Sequence, residues 1–448
     1  MSDLHQNDQN DFMIEKIKQR PVNKKKLLRR TIITASMAVI FGLIACFTFL
    51  ILEPVISNFL YPKEEPQIVV FPEDQEEMSP EEMLAENMEL ENQNNQNTQP
   101  EMPTENMMLE KEQIQEILSN VSLDIGNYKQ LYNAMSEYVN ELNQFMVTVT
   151  GVTSNVDWFN NVEESENISS GVIVANNGRE LLILVDYKPL EKAETLNLTF
   201  YNGSKVAASV KGVDSNTNLA VLSVELESID PLFLENGLKI ALLGSSNIKN
   251  IVGMPVVALG RPMGSSGSIG YGMISAANTL VTNADINYRI LHTDIYGSTN
   301  AGGVLFNMQG QVIGIITTGK TASDMKNMIT AYGITELKRN IEKISNGGKM
   351  AYLGIHGIDV TREAHEELNV PYGAYIMELD MDSPAMLAGI LQGDVLTQLD
   401  DKVINNFNEY TNVLMQMKEN DNVEITIMRQ AQDEYKEMKF HVVVKEQE

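Results

Sequence analysis

Asp294 to Thr317 read D-I-Y-G-S-T-N-A-G-G-V-L-F-N-M-Q-G-Q-V-I-G-I-I-T. A glycine-containing loop, Asn300 to Gly303, leads into the short apolar run Val304, Leu305, Phe306. A turn at Asn307 to Gly310 follows, and then the run Val312 to Thr317. Adjacent glycines allow close backbone approach and dihedrals closed to other residues, while the flanking apolar and β-branched runs predict two strands joined by a hairpin. A loop mounted on a rigid sheet in this way serves where amides or a loop tip must be held still.

The stretch resembles the nucleophile loop of trypsin-like serine proteases of the HtrA/DegP family, whose pattern is T-D-A, a short bridge, G-N-S-G-G-P-L, a turn and G-x-x-I-G-I. Here it reads Thr293, Asp294, then Thr299, Asn300, Ala301, Gly302, Gly303, Val304 and Leu305, with Gly310, Ile313, Gly314 and Ile315 after the turn. Ala301 stands at the nucleophile's position, and a methyl group cannot attack a carbonyl.

Outward from this stretch, short strands are predicted at Met146–Val152, Gly171–Ala175, Leu181–Val185, Thr195–Tyr201, Lys205–Lys211, Leu219–Val224, Pro255–Leu259, Tyr271–Ser275, Arg289–Thr293 and Met328–Tyr332. Many short strands with Gly, Asn and Asp between them, and no long helix, imply a sandwich or barrel pair. The resemblance, carried over about 147 to 334, selects two trypsin-like barrels. Its islands are Ser170 to Ile173, Asn202 to Asp214, Asn218 to Leu222, Leu243 to Pro262 and Gly272 to Ala276.

A serine protease needs a nucleophile, a base and a carboxylate that orients the base. By position in the family pattern, Asp186 falls near the histidine and Asn218 at the aspartate of D-L-A-V-L. With Ala301, all three triad-equivalent positions are replaced. The histidines are His5, His292, His356, His365 and His441, so none lies between residues 6 and 291. This predicts a pseudoprotease that binds peptide or protein as a scaffold, adaptor or quality-control capture device without hydrolysis. The alternative is an active serine endopeptidase with a relocated nucleophile, Ser298 or Thr299, and His292 as base. Asp186 and Asp294 lack the ligand clustering of a metal site. No cofactor is expected.

Ala351 to about Val444 resembles the PDZ domain that follows the protease domain in this family. Tyr352, Leu353, Gly354 and Ile355 stand as Y-L-G-I, Gly373 to Ile376 as G-A-x-I, and Asp382 to Val395 as D-S-P-A-x-x-A-G-I-x-x-G-D-V. PDZ domains add an extended peptide to a sheet edge and hold its terminal carboxylate on backbone amides. The resemblance therefore implies a peptide site in which Tyr352, Leu353, Gly354 and Ile355 form the carboxylate loop. His356 and Ile358 form the docking edge, and a helix from Phe407 to Met417 walls the groove through Tyr410, Leu414 and Met417. A PDZ fold used only for packing against the barrels is the other reading.

The chain has 448 residues and a formal charge of -28, which argues against nucleic acid as a partner. Residues 1 to 30 carry eight basic and four acidic residues, and the remainder 25 basic against 57 acidic. Thr31 to Leu52 are 22 uncharged positions. At 1.5 Å each they reach roughly 33 Å, against a bilayer core of about 30 Å. They predict an uncleaved transmembrane signal anchor, making a single-pass cell membrane protein with a cytoplasmic N-terminus and an extracytoplasmic bulk. Cys46, the one cysteine, lies in this run, so no disulfide is expected outside it, and a bacterial cell envelope is implied.

The domain plan is then a cytoplasmic tail (1–30), the anchor (31–52), an acidic disordered stalk (53–110), a helical segment (111–143), a trypsin-like double barrel (144–340) and a PDZ domain (351–445). The stalk's Glu, Asn, Gln and Pro cannot bury enough apolar surface to offset ordering its backbone. In the helical segment Ile125, Tyr128, Leu131, Tyr132, Met135, Tyr138, Val139 and Leu142 make one apolar stripe, expected to dock on the following domain, with a second copy of itself as the other reading. Expected partners are C-terminal or extended peptides of envelope proteins, the membrane through one helix, and further copies of the chain in a homo-oligomer, a trimer by family habit.

Overall fold

The computed structural model describes residues 24–60, 66–72, 125–156, 162–318, 327–432 and 434–447. Two units, residues 1–65 and 66–448, are taken separately.

In the first unit a helix runs Lys24–Leu60. Its described apolar side chains, from Leu28 to Phe47, are exposed. Among the described residues no helix is long and apolar enough to cross a membrane. The predicted signal anchor is therefore corrected, and with it the single-pass topology, the membrane as a partner and the localisation built on them. The predicted cytoplasmic tail lies outside the described residues up to 23, as does residues 73–124 of the stalk and helical segment.

The second unit begins with a short strap. Val69 donates its N–H to Asn346 Oδ1 (2.9 Å) and accepts at its carbonyl from Asn346 Nδ2 (2.8 Å). Phe71 N–H donates to Glu342 Oε2 (3.0 Å) and Lys338 Nζ to the Pro72 carbonyl (3.2 Å). Part of the range expected as a disordered stalk is thus paired against a helix, because Val69 and Phe71 bring apolar side chains that the acidic composition around them obscures.

Of the expected helical segment, the described part is one helix, Ile125–Leu142. The stripe docks at one end only. Val139 and Leu142 are buried, and Tyr138 donates its hydroxyl to the Asn307 carbonyl (2.5 Å), whereas Ile125, Tyr128, Leu131 and Tyr132 are exposed.

The first barrel is closed, in the order β1 (Met146–Val156), β2 (Val162–Asn176), β3 (Glu180–Asp186), β6 (Leu219–Glu225), β5 (Lys205–Asp214) and β4 (Thr195–Phe200). The second sheet runs β11 (Gly302–Asn307), β8 (Pro255–Arg261), β9 (Ser268–Asn283), β10 (Ile286–Tyr296), β13 (Met328–Gly333) and β12 (Gln311–Thr317), with β7 (Leu242–Leu243) beside β12. β11 also pairs with β12 (Val304 opposite Ile315), which closes these six strands into a second barrel.

The unbroken apolar run Leu181 to Val185 now has its reason. Successive strand residues point to opposite faces. Leu181, Ile183 and Val185 fill the first barrel, and Leu182 and Leu184 join the core shared with the second barrel. In the second barrel, Val304 and Phe306 likewise face the shared core while Leu305 faces inward with Ile313 and Ile316.

A linking helix, Ile334–Ser345, leads to the third part. Ile334, Leu337, Ile341 and Ile344 recur at helical spacing and are all buried in the shared core, each contributing roughly 1.5–3 kcal/mol. It ends at Asn346 and Gly347, the glycine at φ 74°.

The PDZ-like part has two small pairings: β14 (Ala351–Tyr352) with β21 (Lys445–Glu446), and β18 (Lys402–Val403) with β17 (Val395–Leu399). Its main sheet runs β15 (Ile355–Asp359), β16 (Ala374–Leu379), β17, β19 (Asn422–Ala431) and β20 (Glu434–Val443). β15 lies at the edge. A groove helix, Phe407–Leu414, packs over it, with Phe407, Tyr410 and Leu414 buried and the Phe407 N–H donating to Asp359 Oδ1 (2.7 Å). The helix is shorter than the predicted run to Met417, whose side chain still packs at the edge of this core.

Candidate functional site

Two sites were expected, and β3, β6 and β11 position the first. Asp186 closes β3, opposite Leu219 at the start of β6, and Ala301 immediately precedes β11. The Asp186 carboxylate lies beside Gly302. Its Oδ1 accepts from the Lys188 amide (3.2 Å), and Ser169 Oγ donates to its carbonyl (2.8 Å). Burial pushes the Asp186 carboxyl upward, while the Lys188 amide and the charges of Arg261 and Lys188 pull it back. Asn218 is not part of this constellation. It is an exposed turn residue at φ 57° whose carbonyl accepts from the Tyr187 N–H (2.9 Å).

Ala301 is buried, and its N–H donates to the Ser298 carbonyl (3.0 Å). An oxyanion hole needs amides free to meet a developing charge, so use of this one requires the 298–301 turn to open. Ser298 Oγ accepts from the Asn300 N–H (3.1 Å), and His292 Nε2 is paired with Thr279 Oγ1 (3.1 Å). Asp294 Oδ1 accepts from the Met273 N–H (2.7 Å). Residues that the sequence did not mark as site residues also line this region. Ser170 is buried against Gly260, and an Arg261 guanidinium nitrogen donates to the Ile168 carbonyl. No group of acidic, Cys or His residues suited to a metal ion occurs among the described residues.

The second site is the Tyr352 to Ile355 loop. The amides of Leu353, Gly354 and Ile355 all point at one carboxylate, that of Asp285. Leu353 N–H and Gly354 N–H donate to Oδ2 (2.8 Å each), and Ile355 N–H to Oδ1 (3.0 Å). Gly354 adopts φ 78°, and a Cβ there would run into Ser383 and the Tyr352 ring. That left-handed turn is what lets successive amides converge. Tyr410 donates its hydroxyl to Asp285 Oδ1 (2.5 Å). Tyr352 sits beside the loop, its hydroxyl on Asp380 Oδ2 (2.8 Å), and His356 Nε2 meets Asp380 Oδ1 (2.8 Å). Burial and the Asp380 carboxylate hold the Tyr352 hydroxyl well above the usual phenol range.

Ile358 is exposed on β15, and Leu414 is buried with Tyr410 on the helix opposite. Asp285 itself was not legible as a site residue. It occupies a two-residue turn between β9 and β10, and nothing local in Ala284-Asp285 signals a partner some seventy residues away.

Comparison with known proteins agrees with both halves. The family profile of the trypsin-like peptidase domain matches residues 169–315, and that of the PDZ domain residues 351–440. The chain is 28% identical over 280 residues to a Halomonas elongata protein named "Probable periplasmic serine endoprotease DegP-like", covering 60% of this chain and 55% of that one. With serine protease Do-like HtrB of Bacillus subtilis it shares 28% identity over 281 residues, 58% of this chain and 59% of the relative. With serine protease Do-like HtrA of Lactococcus lactis subsp. cremoris it shares 26% over 334 residues, 70% and 78%.

The chain is similar to HtrA/DegP proteins, with a trypsin-like peptidase domain followed by a PDZ domain. Solved structures agree on the HtrA-like fold. HtrA-type protease AlgW with decapeptide superposes with a TM-score of 0.50 at 20% identity, covering 70% of this chain and 98% of that one. The same protease with tripeptide gives 0.50 at 21%, covering 70% and 97%.

These comparisons correct the expectation of a pseudoprotease that does not hydrolyse peptides. The relatives matched are named serine proteases or endoproteases. The identities of Asp186, Asn218 and Ala301 stand, but the conclusion drawn from them does not follow from the HtrA-like chain's relatives. The match spans somewhat over half the length of the first two.

Proposed function

We propose that this HtrA-like chain engages extended polypeptides that end in a free carboxylate, taking the chain end at Leu353 to Ile355. The observation that carries the reading is the convergence of three consecutive loop amides on a single carboxylate, which supports a loop preorganised for that group. The docking edge is β15, with His356 and Ile358 along it, Tyr352 beside the loop, and Tyr410, Leu414 and Met417 opposite.

The test is calorimetric titration of the protein with peptides bearing apolar free C-termini and with their amidated forms. Binding in the micromolar range that is lost on amidation supports the proposal. Equal binding of the two forms overturns it.

The relatives' names favour a second reading, serine-type endopeptidase action on the captured chain. Position 301 supplies no hydroxyl, so attack falls to a neighbour such as Ser298 or Thr299, with His292 as base once it leaves Thr279. Denatured casein and a fluorophosphonate probe test this directly. Cleavage with label on Ser298 or Thr299 supports it, and intact casein with an unlabelled protein overturns it.

A further inference from the structure

The carboxylate in the PDZ loop belongs to the chain itself, and it arrives from the other domain. Asp285 sits at the tip of the β9–β10 hairpin, in the two-residue turn between Asn283 and Ile286. Besides the four bonds to its side chain, its N–H donates to the Ile355 carbonyl (2.7 Å), and its carbonyl accepts from Thr411 Oγ1 on the groove helix (2.8 Å). One turn of chain later, Asn287 Nδ2 donates to the Gly357 carbonyl (2.9 Å), farther along the same edge strand. The hairpin tip therefore lies between β15 and the groove helix, the place where an added strand pairs in this mode of recognition.

We propose that Asp285 is an internal occupant of the chain-end site, so that a polypeptide terminus binds by displacing the hairpin tip instead of entering an open groove. The inference rests on the proposed reading of the loop as a carboxylate receptor and adds to it a competitor and a mode of control.

Three features separate this from ordinary domain packing. The Asp285 carboxyl is buried at 6% exposure, yet its donors are amides and a phenol, and among the described residues no Lys or Arg pairs with it. Buried carboxylates without a cation rely on converging neutral donors, the same device that receives a peptide terminus. Asp285 also adopts φ 65°, a conformation that non-glycine residues rarely take, and it presents side chain and N–H to the loop together. Finally the tip is braced from behind. Asn283 Nδ2 donates to the Asn216 carbonyl (3.2 Å) and Asn216 Nδ2 to the Ala284 carbonyl (3.4 Å), so the β5–β6 turn, which ends at Asn218, supports the occupied state.

Displacement has a consequence for the barrels. The hairpin is continuous with β10, which carries His292 and ends just before Ser298. A bound chain end thus releases one end of the strand that leads into the 298–301 turn.

The experiment uses the whole chain with Asp285→Gly, which removes the carboxylate and tolerates the left-handed turn, and Asp285→Asn, which keeps its shape. Each is titrated with an apolar peptide in free and amidated forms, and amide exchange at Leu353 to Ile355 is read without peptide. Thermal melting confirms that each variant folds. Loss of protection at these amides, with at least tenfold tighter binding of the free peptide to Asp285→Gly and no gain for the amidated one, supports the proposal. Unchanged protection, or equal affinity of parent and variants for the free peptide, overturns it while leaving the carboxylate reading intact. Loss of protection with no binding of the free peptide to any of the three proteins overturns the carboxylate reading, and competition fails with it.

Discussion

At the scale of single residues, the positions that decide this molecule are those where one atom more or less changes what the backbone can do. Gly303 lies at φ 120° with its Cα against Gly260, and a Cβ there would run into the Leu259 carbonyl. Gly303→Ala therefore has no relaxed solution. It should cost about 2–4 kcal/mol, read as a lower midpoint in denaturant with an unchanged slope. Asn340 shows the complementary case of a buried polar group. Its Nδ2 donates to Asp214 Oδ2 (2.9 Å) and to the Tyr288 hydroxyl oxygen (2.7 Å), and Tyr288 also bonds Asp214 (3.2 Å). Asn340→Ala leaves the buried Asp214 short of a donor and should destabilise by about 1–3 kcal/mol, whereas Asn340→Asp should do worse by adding a second carboxylate. Double-mutant coupling between Asn340 and Tyr288 is the check, and additive effects would contradict the network. Residue identity is also where the sequence speaks most plainly: Ala301, Asn218 and Asp186 can be read without coordinates. What cannot be read is that Asn218 turns outward while Asp186 faces Gly302, since that depends on one residue's φ and on strand register.

Elements explain why most of the barrel strands were legible and the site's occupant was not. A strand announces itself locally, so runs such as Leu219 to Val224 and Pro255 to Leu259 fall inside β6 and β8. The stripe from Ile125 to Leu142 was equally visible as a helix, yet its contacts were not, because periodicity gives a face and no partner. The same holds for the β9–β10 hairpin, whose turn is ordinary in sequence and whose meaning comes from a loop more than sixty residues on. Its docking carries a pH dependence of definite sign. Burial raises the Asp285 carboxyl above its usual range, against the lowering pull of Tyr410 and the three loop amides. A carboxyl whose proton is held more tightly docked than free makes docking stronger as pH falls from the raised value toward the ordinary one near 4, and weaker above the raised value. The other ionisable groups around it are Tyr410, Tyr352 and, bonded to Tyr352, Asp380 with His356. Protection factors at Leu353 to Ile355 should therefore rise between pH 7 and pH 4 in the parent chain and not in Asp285→Asn. A parent profile that is flat or falls would contradict this sign.

For the whole molecule, the linking helix is the common support. It fills the core shared by the barrels, receives the strap at Glu342 and Asn346, and reaches the PDZ part through Lys343, whose Nζ donates to the Met415 carbonyl (2.8 Å). Removing residues up to 72, compared with removing residues up to 65, deletes the strap's hydrogen bonds and the burial of Val69 and Phe71. The longer deletion should cost about 2–4 kcal/mol more, seen as a lower melting temperature, and equal melting would mean the strap contributes nothing to the body. Composition does not disclose this strap, because acidic and amide residues dominate the range and the seven positions 66–72 do not change its average. The occupied groove sets how the molecule responds to dose. A tethered group competes at a local concentration on the order of millimolar, and ligand binding is weakened by the fraction of molecules that are open. If the proposed competition holds, the midpoint of the response moves to a higher concentration of chain ends by that fraction while the response itself stays graded, so the strength of the hairpin's docking sets the sensitivity of the groove.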